Sequence, residues 1–76
     1  METFRVYVTF ESGVQHLDTD WTDDMDNVKG AIARLTLGPS RTFNKAVIVV
    51  DSLDCTVFKW VEGEVLWPKQ EAVAND

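Results

Sequence analysis

The stretch DTDWTDDMDNVKGAIARLTLGP, residues 18–39, decides how this chain folds. Five aspartates open it: Asp18, Asp20, Asp23, Asp24 and Asp26. Met25, Val28, Ile32 and Leu35 follow at helical spacing and make one apolar stripe. Asp20 or Thr22 is placed to cap the helix by accepting a backbone N–H. Asp23, Asp24 and Asp26 then stand in the first turn, where the helix dipole favours negative charge. Lys29 and Arg34 stand further along, where positive charge is better placed. Gly38 suits the C-terminal cap, and Pro39 prevents continuation. Gly30, inside the helix, costs roughly 1 kcal/mol relative to Ala; it either permits close packing on a sheet or is neutral.

Upstream of this helix, Phe4, Val6, Val8 and Phe10 alternate with Arg5, Tyr7 and Thr9. That period of two predicts a strand with one core face and one wet face. Ser12-Gly13 predicts a two-residue hairpin. Its register would set Val8 opposite Leu17, Thr9 opposite His16, Tyr7 opposite Asp18 and Arg5 opposite Asp20, with Leu17 in the core and His16 on the polar face. A slip of one residue would exchange those faces.

Downstream, Pro39 to Asn44 reads as a linker. Ala46–Val50 is a β-branched apolar run and predicts a strand apolar on both faces. Asp51–Asp54 is a turn, and Cys55–Val61 is a further strand. Glu62-Gly63 closes a second two-residue hairpin, and Glu64–Trp67 returns until Pro68 ends it. That register pairs Trp60 with Val65 and Phe58 with Trp67. One face then collects Phe58, Trp60, Val65 and Trp67.

The elements run β-β-α-β-β-β. The expected fold is one small α+β domain over residues 1–68, a mostly antiparallel sheet with one helix across one face. Residues 69–76 are expected to form a disordered tail. The order of strands in space is left open. One helix covers only one side of such a sheet. Either Val47, Val49, Val57, Val61 and Leu66, or Ile48, Val50, Phe58, Trp60 and Trp67, would remain on the other side. Contiguous apolar patches of that kind mark association surfaces.

The 76 residues carry 13 acidic against 7 basic side chains, a net charge of −6. A chain this acidic lacks the Lys/Arg clusters that bind nucleic acid directly, and anionic membranes would repel it. Its single cysteine, Cys55, forms no internal disulfide, and His16 and Cys55 alone make no zinc pattern. No apolar run approaches the roughly 20 residues of a membrane helix, and the N-terminus lacks the pattern of a secretory signal. A cytoplasmic protein is the simplest reading.

The aspartate cluster is the most visible polar feature. Asp18-x-Asp20-x-Thr22 resembles the start of a calcium loop. Such a loop needs Gly at its sixth position and Glu at its twelfth, and Asp23 and Lys29 stand there. The other readings are helix capping with solubility, and an acidic surface that mimics nucleic-acid phosphates. His16 with Cys55 has no orienting third group for nucleophilic chemistry. Glu62 and Glu64 belong to a hairpin tip, and Ser40-Arg41 lacks the glycine-rich loop of an anion site. Phe58, Trp60 and Trp67 could stack bases, but they lack a positive groove and fit a core or a protein interface better.

No catalytic residue, metal ligand or cofactor is expected. The expected function is a small non-enzymatic protein-interaction module. Its partner-binding candidates are Asp20, Asp23, Asp24, Asp26, Phe58, Trp60 and Trp67, and its partner is itself, as a homodimer, or a host protein. Small size, acidity and aromatic richness are also the general character of accessory proteins of phages and mobile elements, some of which inhibit host enzymes. That similarity is one of composition and covers no motif. The alternative is a homo-oligomeric scaffold subunit without a ligand.

Overall fold

In the computed structural model, which describes residues 2–68, the chain forms β1 (Phe4–Phe10), β2 (Gln15–Thr22), α1 (Met25–Leu37), a 3-10 turn (Arg41–Phe43), β3 (Asn44–Asp51), β4 (Thr56–Val61) and β5 (Glu64–Trp67). The tail expected over 69–76 lies outside the described residues. The strands make one antiparallel sheet in the order β2-β1-β3-β4-β5, and α1 packs across β1, β2 and β3. This is the expected α+β architecture. β2 and β3 both run antiparallel to β1, hence parallel to each other. They therefore need a crossover, and α1 supplies it.

Val6, Val8, Val47 and Val49 are fully buried in the middle of the sheet. Phe4, Trp60 and the helix residues Val28, Ala31 and Leu35 complete the core. The apolar stripe of α1 is thus centred one residue away from its sequence reading. Ala31 is buried, Ile32 is only partly so, and Met25 is 43% exposed.

The helix begins later than expected. β2 runs on through Asp20 to Thr22, and Asp24 is the cap, its side chain accepting from the Asp26 N–H at 2.9 Å. Thr22 Oγ1 accepts from the Asp24 N–H, one step earlier. At the other end Gly38 caps as expected, donating its N–H to the Arg34 carbonyl. A side chain there would press into that carbonyl. The buried Asn44 donates its side-chain N–H to the Leu35 carbonyl at 2.9 Å, satisfying another of the helix's last oxygens. Gly30 faces open space, so no packing on the sheet accounts for it.

The first hairpin corrects the expected register. Its loop has three residues, Glu11-Ser12-Gly13, closed by Phe10 and Val14, with Gly13 at φ 94°. Val8 therefore faces His16 and Tyr7 faces Leu17. His16 turns to the helix side and stacks on Phe10 at 6.0 Å, while Leu17 turns to the uncovered side. Further along β2 two bulges follow. Between the Tyr7–Leu17 and Val6–Thr19 pairs, Asp18 is an extra residue. Between Val6–Thr19 and Phe4–Thr22, both Asp20 and Trp21 face Arg5.

The second hairpin forms as expected on Glu62-Gly63, both at positive φ, the twist that suits a two-residue hairpin. Trp60 pairs with Val65 as expected, but Trp67 pairs with Lys59 rather than Phe58, because Leu66 is an extra residue in β5. Trp67 is thereby separated from Phe58 and Trp60, which face the helix.

Candidate functional site

The aspartates at the head of the helix have individual structural duties. Asp18, lifted out by its bulge, receives two hydrogen bonds from the Arg34 guanidinium at 3.1 and 2.6 Å. Its side chain is only 12% exposed. Burial alone would raise its pKa, and the bonds from Arg34 and Thr19 outweigh that, so the carboxyl is held below its ordinary value. Asp20 lies on the opposite side of the sheet. It accepts from the Trp21 N–H at 2.8 Å and from Arg5 Nε at 2.9 Å, and in that order these lower its pKa. Asp24 is the helix cap. Asp23 and Asp26 are exposed, and neither forms an ion pair among the described residues. Among those residues no group of three His, Cys, Asp or Glu side chains could hold a metal ion.

The remaining polar candidates do not converge. His16 is in the row of Val8, whereas Cys55 sits in the exposed loop beyond Asp51, whose partner on β1 is Phe4. Four residues of strand and two neighbouring strands separate them. Glu62 and Glu64 are exposed at the β4–β5 tip. Arg41 bonds the Gly38 carbonyl.

Of the aromatic candidates, Trp60 is buried in the core and Phe58 is packed against it. Phe58 also lines an apolar cleft of about 430 Å³ between α1 and the β3–β4 side of the sheet, together with Met25, Val28, Ile32 and Val57. Trp67 alone reaches the far face, 48% exposed.

That far face is covered by no element among the described residues. The registers align one row across all five strands: Leu17, Tyr7, Ile48, Lys59 and Trp67. On one side of it lie Arg5, Val50, which is buried at 8% exposed, and Thr56, with Trp21 beyond Arg5. On the other lie Thr9, Ala46, Val61 and Glu64. Cross-strand partners share a face, so these side chains form one surface. Neither apolar set expected from the sequence occupies it whole. Ile48, Val50 and Trp67 come from one set and Val61 from the other, because bulges at Val57 and Leu66 shift the alternation.

Arg5 organises one end of the face. Its guanidinium bonds Asp20 and the Tyr7 hydroxyl, at 3.2 Å, and lies 4.4 Å from the centre of the Trp21 ring. The Tyr7 bond, ahead of Asp20, raises the Arg5 pKa against the opposing effect of burial. Lys59 sits in the middle row, half-buried, and makes no ion pair among the described residues. Leu17, Tyr7, Trp21 and Lys59 were absent from the candidate residues read from sequence. The alternation of β1 pointed to Tyr7; the others depend on bulges and register that sequence does not display.

Among the described residues no helix is long and apolar enough to cross a membrane. In comparisons with protein-family models, with curated proteins and with solved structures, nothing matches this chain.

Proposed function

We propose that this chain is a non-enzymatic protein-binding module that docks through the open face of its sheet. The observation that carries this is the row Leu17–Tyr7–Ile48–Lys59–Trp67, an apolar band holding one cation, Lys59, that makes no ion pair among the described residues, and no element among those residues covers the band. A small domain rarely leaves such a band exposed unless it meets another surface. Trp67 and Trp21, both near half exposed, are the residue type that most often anchors an interface. The exposed Asp23 and Asp26, on the helix side, act as steering charge rather than as the contact surface.

The test is capture by the immobilised chain from lysate of its source cells, in wild type, Ile48→Lys and Leu37→Lys. Leu37 is 77% exposed on the helix layer and serves as the control. The expected result is a retained protein, another copy of this chain or a different one, that Ile48→Lys loses and Leu37→Lys keeps. Retention unaffected by Ile48→Lys would remove the reading.

A further inference from the structure

We propose that the occupant of the open face is a second copy of this chain, packed sheet against sheet about a two-fold axis along β3; this rests on the docking reading above and names its partner. β3 is the middle strand of β2-β1-β3-β4-β5. A two-fold along it lays β1 over the partner's β4 and β2 over the partner's β5, with residue rows kept in step. The central row is then self-complementary. Ile48 meets itself on the axis, Tyr7 meets the partner's Lys59, and Leu17 meets the partner's Trp67. Lysine over a tyrosine ring is favourable, and it gives Lys59 a partner that it lacks among the described residues of one copy. In the flanking rows Arg5 meets the partner's Thr56, and Glu64 meets the partner's Gln15. No like charges oppose one another.

Electrostatics favour the same occupant. The face carries two cations, Arg5 and Lys59, and two anions, Asp20 and Glu64, so it is neutral on a chain of net charge −6. The excess acid sits elsewhere, much of it around the helix start. The domain is 19 Å thick, and the screening length at physiological salt is about 8 Å. Two copies meeting by their sheets hold their helix layers several screening lengths apart. A basic partner drawn by net charge would favour the helix side instead.

The area sets the strength. Five strands at about 4.8 Å and three rows at about 6.8 Å give on the order of 500 Å² per copy. A standard stable interface buries about 800 Å² per partner. The pair is therefore reversible, its population rising through the micromolar-to-millimolar range. Aligned sheet packing of this kind is the ordinary geometry of β-sandwiches.

Sedimentation velocity from about 5 μM to about 1 mM tests it directly. Wild type should shift from monomer to dimer. Lys59→Glu, which gives the face a net negative charge, should weaken association about tenfold, and Ile48→Lys, a charge on the axis, about a hundredfold. Leu37→Lys should change nothing. Trp67→Ser, at an exposed position, replaces Ile48→Lys if the latter lowers the melting temperature. A monomer at about 1 mM, or association that survives both face variants, overturns the second copy as occupant. If capture of a different protein still depends on Ile48 in that case, the docking reading stands without self-pairing; if it does not, both fall.

Discussion

Arg34, on the last turns of α1, reaches across to Asp18 in the first bulge of β2 and holds both of its carboxylate oxygens. Bidentate pairing is the strong form of this interaction, and here it ties the helix to an edge strand. Arg34 is 57% exposed, so solvent screens the pair. We expect Asp18→Asn to cost about 1 kcal/mol, and Arg34→Gln about the same. A double-mutant cycle by urea denaturation checks this: the double variant should cost little more than either single one. Fully additive losses would mean that the two side chains do not act together.

The same carboxylate makes stability depend on acid. Asp18 and Asp20 both have folded pKa values below the ordinary one. Their contribution is therefore complete at neutral pH. It declines as pH falls below about 4, where the unfolded chain begins to take up protons, and is lost once pH passes below the folded values. The stability gap between wild type and Asp18→Asn should be constant from pH 7 to 5 and close below about pH 4. Urea midpoints from pH 7 to below 4 decide it, and a gap that does not narrow as pH falls below about 4 would contradict the assignment.

Gly30 within α1 and Gly38 at its C-terminal cap should respond oppositely to alanine. Gly30 faces open space inside the helix, so Gly30→Ala should stabilise by about 1 kcal/mol. For a domain of this size that is a rise of about 4–8 °C in Tm. Gly38→Ala places a methyl group against the Arg34 carbonyl and should destabilise. Thermal denaturation followed by circular dichroism reads both signs.

Asn44 has a buried amide that donates to the Leu35 carbonyl. Asn44→Leu leaves that oxygen without its donor inside the protein and should cost about 1–3 kcal/mol. A urea midpoint close to that of wild type would show that the carbonyl finds another donor.

At the β4–β5 tip, Glu62 holds φ 49° ahead of Gly63 at φ 91°. Glu is poorly suited to that region, whereas Asn-Gly is the preferred pair for this turn. Glu62→Asn should raise Tm by several degrees, and Gly63→Ala should lower it. A rise for both variants would mean the turn relaxes to another type.

Local pattern carried much of the fold. The alternation of Phe4 to Phe10, the Glu62-Gly63 turn and the Gly38-Pro39 stop were all readable, because each depends on residues close in sequence. The faces were harder. Gly13 closes a three-residue loop rather than a two-residue one, and that single step exchanges His16 with Leu17. The β2 bulges face groups brought together only by folding, Arg34 for Asp18 and Arg5 for Asp20 and Trp21, so nothing local announces them. The open face was expected in kind, since one helix covers one side. Its membership was not, because Leu66 reverses Trp67 and leaves Phe58 and Trp60 behind. The aspartates looked like a site because they stand within nine positions of one another, whereas the fold gives Asp18, Asp20 and Asp24 separate duties.

The strand order also governs how the chain must assemble in time. The β1–β2 hairpin and the β3–β4–β5 meander are each local and can zip independently within microseconds. They are joined along a single seam, β1 against β3, whose partners lie from 34 residues apart at Phe10–Asn44 to 47 at Phe4–Asp51. Closing that seam is the slow step, because its loop must be closed before the contacts reward it. Substitutions at Val6, Val8, Val47 or Val49 should therefore slow folding itself, and so should those at the hairpin tips, whose turns are already formed when the seam closes. β5, with a single neighbour, should be the first strand to exchange its amide hydrogens, and β1 among the last.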